Sequence, residues 1–279
     1  MPTTVTPIRY PGGKTKLYSF LKEILTANNL VGGTYCEPFA GGAGLALKLL
    51  LKNDVSRIVI NDADPAIYSV WDMILKEPDE LCAFIETVEV TTAEWKKQKA
   101  IYDAECVQPC SNLAKATFFL NRTNISGVIT GGMIGGKEQE GKYKIDARFS
   151  RNNLITKIRN IASLAERIDL YNYDVLEFMD VVLPRLEDNT LVNFDPPYVS
   201  KGSKLYKNAF SKEDHSLLRD RIADCRYKWI VTYDICDYVK ALYKDYRGDY
   251  VNVYYSANVI RKAQEYVFYS NDLIIPGNI

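Results

Sequence analysis

Thr34-Tyr35-Cys36-Glu37-Pro38-Phe39-Ala40-Gly41-Gly42-Ala43-Gly44 is followed by the apolar run Leu45–Leu51 and then by Arg57-Ile58-Val59-Ile60-Asn61-Asp62. Thr34–Phe39 reads as a short strand, Ala40–Gly44 as a glycine turn and Leu45–Leu51 as a helix. Arg57–Ile60 is a second strand with an acid at its tip. Strand, glycine turn, helix, strand is the opening half of an open, mostly parallel α/β sheet, and such sheets bind ligands outside the carboxyl ends of their strands.

On the amino-terminal side, Pro11-Gly12-Gly13-Lys14 breaks regular structure, and Leu17, Phe20, Leu21, Ile24 and Leu25 then recur at helical spacing. Beyond Asp62 the character changes. Ala66–Lys76, Asp79–Glu86, Thr92–Cys106 and Asn112–Leu120 read as helices, and Asn121–Ser150 is polar and rich in glycine. An irregular stretch of that length inside a domain marks a functional or mobile segment. The α/β rhythm returns at Asn152 with an amphipathic helix. Strands are expected at Ile168–Tyr173, Thr190–Phe194, Trp229–Thr232, Val251–Tyr255 and Glu265–Ser270. The expected architecture is one α/β domain, residues 1–64 and 152–279, interrupted by a mainly helical insertion over 65–151.

Composition removes several function classes. The 279 residues hold 35 Lys and Arg against 35 Asp and Glu, so a histone-like mode of nucleic-acid binding is out, while a local basic surface stays open. The only histidine, His215, follows Ser211-Lys212-Glu213-Asp214, which reads as a capping box opening a helix. A His-rich metal centre is excluded, and no metal is expected. The six cysteines form no CxxC pair and are expected to be reduced thiols. Met1–Tyr10 lacks the pattern of a secretion signal, and no apolar run approaches the roughly 20 residues of a membrane span. The expected setting is cytoplasmic.

The chemistry concentrates in Asp195-Pro196-Pro197-Tyr198, delivered to the carboxyl edge of the sheet by the apolar strand before it. Proline at 196 pushes Asp195 toward an extended conformation, and both prolines fix their own φ angles. The product is a stiff ledge presenting a carboxylate, the Pro196 carbonyl and the Tyr198 ring. An exocyclic amino group on a planar base offers two N–H donors and a π-face, which this ledge complements. In the glycine turn, bare backbone allows close approach of a ligand, and Asp62, 20 residues beyond Gly42, suits ribose hydroxyls. A dinucleotide fingerprint fits poorly, because Leu47 stands at its third glycine position, and Glu37 would repel a phosphate. An adenosyl ligand without phosphates fits better. Pro11–Thr15 fails as a Walker A motif, since Ile8 occupies the position of its first glycine.

In these motifs the chain resembles the Dam-type DNA adenine-N6 methyltransferases. Arg9-Tyr10-Pro11-Gly12-Gly13-Lys14 is similar to that family's opening motif, Glu37-Pro38-Phe39 with its glycines to the first nucleotide motif, and Asn61-Asp62 to the second. Asp195–Tyr198 matches the catalytic motif, and all four occur in the family's order. The resemblance implies a Rossmann-like, S-adenosylmethionine-dependent methyltransferase sheet with an inserted helical DNA-recognition domain. Carried over by position, it implies that Tyr10, Lys14, Asp62, Asp174 and Asp195 line the S-adenosylmethionine site, with Glu37, Phe39, Gly41 and Gly42 as its walls. It further implies catalysis by Asp195, Pro196, Pro197 and Tyr198 on an adenine flipped out of double-stranded DNA.

Between Lys137 and Asn160 seven basic residues face three acids, and Lys201, Lys204, Lys207 and Lys212 precede the next acid, Glu213. Phosphate contacts are expected from Lys142, Lys144, Arg148, Lys201 and Lys204, and base readout from Asn121-Arg122 and the loop that follows. Asn121–Gly127 matches the family's NRxGxNG-like stretch only in part, and Gly131–Gly136 is unlike it, so no target such as GATC follows. The expected partner is double-stranded DNA and the expected state a monomer. A cytosine-N4 or RNA-base enzyme, a binding module that has lost activity, and a P-loop hydrolase are the alternatives.

Overall fold

In a computed structural model, residues 4–10, 12–199, 210–257 and 259–277 are described. Strands β1 (Thr34–Glu37), β2 (Arg57–Asn61), β3 (Ile168–Tyr171), β4 (Thr190–Phe194) and β5 (Lys228–Asp234) run parallel. Strands β6 (Arg247–Ala257) and β7 (Val259–Tyr269) pair antiparallel with each other, and β7 inserts antiparallel beside β5. The order across the sheet is β3-β2-β1-β4-β5-β7-β6, so chain direction of winding reverses between β1 and β4. At such a switch point the loops leaving neighbouring strands diverge and open a crevice.

Both faces of the sheet are covered, as the burial of every residue of β4 shows. Side chains alternate between faces with period two. Tyr35, Ile58, Ile60, Leu191 and Ile230 pack on one side, against helices α1 (Tyr18–Ala27), α2 (Gly44–Leu51), α3 (Pro65–Lys76), α4 (Pro78–Thr87), α6 (Ser111–Thr123) and α7 (Arg151–Ala162). Helix α5 (Thr92–Glu105) joins α6 in a smaller cluster around Tyr102 and Leu113. Cys36, Val59, Val192, Phe194, Trp229, Val231 and Tyr233 pack on the other side, against α8 (Val175–Val181), α9 (Lys212–Ala223) and α10 (Asp237–Leu242).

The parallel strands and long helices lie where apolar periodicity puts them, whereas β6 and β7 begin at Arg247 and Val259, ahead of the expected Val251 and Glu265, and two further differences are notable. Helix α6 runs three residues past Leu120 and so takes in Asn121 and Arg122, because a buried Asn121 finds internal partners described below. The stretch after it carries little regular structure but is pinned from inside by the buried side chains of Met133, Ile145 and Phe149. Helix α9 opens with the capping box, Ser211 and Asp214 exchanging hydrogen bonds, and His215 is buried behind it against the Tyr233 hydroxyl at 2.9 Å.

Candidate active site

Three loops leave the carboxyl ends of β1, β2 and β3, and one amide binds them together. Asn61 Nδ2 donates to the carbonyls of Pro38 (3.0 Å) and Tyr173 (3.1 Å), and its Oδ1 accepts from the Tyr173 N–H at 2.9 Å. Asp62, next in the chain, accepts from the Gly41 N–H at 2.8 Å and from the Asp64 N–H at 3.0 Å. Burial, with Asp64 adding, pushes its carboxyl up to about 7. Gly41 is left-handed (φ +46°), and a Cβ there would come within 2.7 Å of the Tyr10 ring. The bare backbone is thus met first by Tyr10, which brings the amino-terminal motif onto the glycine turn. Phe39 lies half-buried beside Phe210, with ring centres 6.0 Å apart.

Glu37, at the end of β1, is buried, and burial reinforced by Asp195 pushes its carboxyl up to about 8. Glu37 feels both the Asp195 carboxylate and the Lys14 ammonium, while Asp62 holds the glycine turn from the neighbouring loop. This donor set suits a cationic, hydroxyl-bearing ligand and would repel a phosphate.

Asp195 emerges from β4 next to β1, and both of its oxygens are engaged. Oδ1 accepts from Thr232 Oγ1 at 2.7 Å and from the Tyr198 hydroxyl at 3.3 Å. Oδ2 accepts from Lys14 Nζ at 2.7 Å, and the same ammonium donates to the Tyr198 hydroxyl (2.7 Å) and the Gly12 carbonyl (3.0 Å). Lys14 Nζ also lies 3.4 Å from Glu265 on β7. Burial alone would pull the ammonium down, but Asp195 and Glu265 outweigh it and hold it above its ordinary value. The ammonium lies 5.2 Å from the Tyr198 ring centre but only 2.7 Å from its hydroxyl, so it meets the polar end of the ring and not its face. Asp234, at the tip of β5, accepts from the Val199 N–H at 3.1 Å and anchors the far side of the Pro-Pro corner.

Tyr10, Lys14, Glu37, Gly41, Gly42, Asp62 and the Asp195–Tyr198 corner are therefore gathered at one edge of the sheet. Asp174 lies after β3, exposed, with its carboxylate capping α8 through the Leu176 N–H at 2.9 Å. Thr232, Asp234 and Glu265 were not singled out by sequence. Thr232 and Asp234 share the end of an apolar strand, a position at which polar side chains signal a site, whereas nothing local marks Glu265.

Arg9 and Asn121 tie the amino-terminal motif to α6. Asn121 Oδ1 accepts from the Arg9 N–H at 2.8 Å, and its Nδ2 donates to the carbonyls of Arg9 (2.7 Å) and Gly127 (3.0 Å). Asn121 is thus buried and internally occupied. Arg122 donates to the carbonyls of Arg148 and Pro7, Lys144 donates to the Gln139 carbonyl, and Lys142 and Arg148 flank the exposed Tyr143 ring. Lys201 and Lys204 lie outside the described residues. Burial lowers Arg9 to about 10 and Arg122 to about 9, in each case with help from neighbouring arginines, and Lys157 falls for the same reasons beside Arg122. Arg9, Arg122, Arg148 and Lys157 form no ion pair among the described residues. The cluster therefore carries an excess of positive charge.

A doubly wound sheet whose switch point joins an acid-lined glycine turn to a proline-stiffened carboxylate is the framework of an amino-group methyltransferase. Residues 10–261 match the family model for D12 class N6 adenine-specific DNA methyltransferase, and the chain belongs to that family. The protein is an enzyme that methylates adenine N6 in DNA, which decides against the cytosine, RNA-base, binding-module and P-loop alternatives. The Type II methyltransferase M.MjaIII of Methanocaldococcus jannaschii is 23% identical over 220 residues, 74% of this chain and 73% of that protein. Among solved structures, a candidate RNA methyltransferase of Pyrococcus horikoshii matches with a TM-score of 0.44 at 10% identity, covering 96% of this chain and 87% of that one. The rRNA methyltransferase aviRa of Streptomyces viridochromogenes matches with a TM-score of 0.41 at 13% identity, covering 93% and 85%. No helix among the described residues is long and apolar enough to cross a membrane.

Proposed function

We propose that the enzyme takes its methyl group from S-adenosylmethionine and places it on an adenine swung out of double-stranded DNA, working as a cytoplasmic monomer. Helical residues 65–151 carry target recognition in this reading. The observation that supports it most is the Asp195 carboxylate, fixed on its Pro-Pro corner within reach of the acid-lined turn after β1. The buried Glu37 carboxyl is pushed up to about 8 with Lys14 the one cation acting on it among the described residues, and an arriving sulfonium or ammonium would restore its charge. S-adenosylmethionine supplies an electrophilic methyl on a positive sulfur, and Tyr10, Glu37, Phe39, Gly41, Gly42 and Asp62 would hold it. Asp174 borders the same loops while serving its helix.

The N6 lone pair of adenine is delocalised into the ring, so nitrogen attacks poorly. Asp195 Oδ2 and the Pro196 carbonyl would accept its two N–H groups and localise the pair, with positioning and electrostatics supplying the acceleration. Oδ1 is held by Thr232, so the amino group must replace Lys14 at Oδ2. The same oxygen is the nearest acceptor for the proton that N6 sheds. Tyr198 would stack on the base. Arg9, Arg122, Arg148 and Lys157 would receive backbone phosphate together with Lys142 and Lys144, the sequence offers Lys201 and Lys204 for the same role, and Asn121 braces the reading loop from inside. The likeness to a Type II methyltransferase supports a place in a restriction–modification pair.

Asp195→Ala tests this reading. The variant should lose transfer of labelled methyl from S-adenosylmethionine to mixed-sequence DNA while keeping its fold and most of its DNA affinity, and substantial turnover would overturn it. Mapping the modified adenines of the wild-type reaction also gives the target.

A further inference from the structure

Asp195 cannot bind an adenine amino group and the Lys14 ammonium through the same oxygen. Lys14 holds Oδ2 at 2.7 Å, and Thr232 holds Oδ1 at 2.7 Å. The ammonium is 5% exposed, so leaving Asp195 for water is not open to it, and a buried ammonium stripped of its counter-ion is strongly disfavoured. The second carboxylate within reach is Glu265, 3.4 Å from Nζ and 1% exposed. Asp195, by contrast, keeps 25% of its side chain open.

The strands fix this geometry. Glu265 on β7 stands directly opposite Asp234 on β5, and Asp234 anchors Val199 behind the Pro-Pro corner. Two residues earlier on β5, Thr232 clamps Asp195. One antiparallel pair of strands therefore carries the clamp of the reacting carboxylate and the alternative anchor of the ammonium. The sheet ladder prevents Glu265 from following Lys14 toward Asp195.

We propose that Glu265 is a positioning residue for adenine methylation: it receives the Lys14 ammonium when Asp195 exchanges that ammonium for the N6 amino group of the target base. The inference rests on the assignment of Asp195 as acceptor of the base. Without the negative charge at 265, Lys14 stays on Asp195 and competes with every incoming base.

Steady-state methylation of unmethylated plasmid DNA by the full chain tests this through Glu265→Gln, Lys14→Met and the double variant. Glu265→Gln should raise the KM for DNA about tenfold, the worth of one charge-assisted contact, with a smaller fall in kcat. In the Lys14→Met background the same change at 265 should have little further effect, since the competing ammonium is gone. A structural role would instead give additive losses with a lowered melting temperature. Additivity, or wild-type kinetics in Glu265→Gln, overturns the proposal. Should Glu265→Gln fail to fold, Glu265→Asp keeps the charge but sets it farther from Nζ, and should give a smaller KM increase that also vanishes in the Lys14→Met background. An inactive Asp195→Ala alongside an uncoupled Glu265→Gln would refute this inference alone, whereas an active Asp195→Ala would remove the reading beneath it.

Discussion

Thr232→Val isolates the orientation of the Asp195 carboxylate. The Thr232 hydroxyl lies 2.7 Å from Oδ1, and the side chain is fully buried on β5, where valine fills nearly the same space. Removing the hydroxyl leaves Oδ1 with the longer Tyr198 contact of 3.3 Å, and the carboxylate becomes free to turn about its Cβ–Cγ bond. A hydrogen bond to a charged acceptor contributes about 1.5–3 kcal/mol. If that preorganisation is lost wholly in the transition state, kcat falls about 10- to 150-fold, at roughly 1.36 kcal/mol per factor of ten. The KM for DNA should change little, because Thr232 touches no phosphate-facing group. Single-turnover transfer of tritiated methyl to saturating DNA reads the effect directly, with thermal melting as the control for folding. A normally melting variant whose rate stays within about threefold of wild type would refute the reasoning, since a carboxylate that works equally well unclamped was never positioned by Thr232.

Gly41→Ala drives a Cβ into the Tyr10 ring and forces alanine into a left-handed conformation, so the enzyme should melt lower and its KM for S-adenosylmethionine should rise about tenfold or more, by methylation kinetics. Glu37 has a folded pKa near 8 against an ordinary 4.5, so the folded state holds a proton that the unfolded chain sheds within that window. Its contribution to stability is full below pH 4.5 and is lost as pH rises through 8. Glu37→Gln should leave melting at pH 4 unchanged, raise it at pH 8 and flatten the decline between, part of which Asp62 retains through its own rise to about 7. Arg122→Ala and Arg148→Ala should weaken DNA binding across all sequences, and each should reduce the slope of log affinity against log salt by about one in a titration of fluorescent duplex.

The Asp195–Tyr198 corner was legible because its constraints are local: two prolines stiffen four consecutive residues, and a buried strand delivers them to the sheet edge. The same holds for β1, β2 and α2, whose apolar periods and glycine turn need no distant partner to be recognised. Helix α8, with seven residues, and α10, with six, are too short for a 3.6-residue period to show. Asn121 looked like a surface reader because an amide in a polar run ordinarily faces water, yet partners 112 residues away satisfy it inside. Lys14 and Asp195 meet across 181 residues, and Glu265 reaches them through the register of β5 with β7, a pairing that no local pattern encodes.

The amide of Asn61 has a kinetic consequence. By lashing the loops after β1, β2 and β3 to one another it keeps the donor half of the cleft assembled before anything arrives, whereas the acceptor half is closed by the enzyme's own ammonium. In the proposed reading, a positively charged sulfur arriving next door would push that ammonium away from Asp195. On that reading, sulfonium first and nucleobase second would be the easier sequence of events, and a duplex engaged without the donor would wait at a door that has not been unlatched.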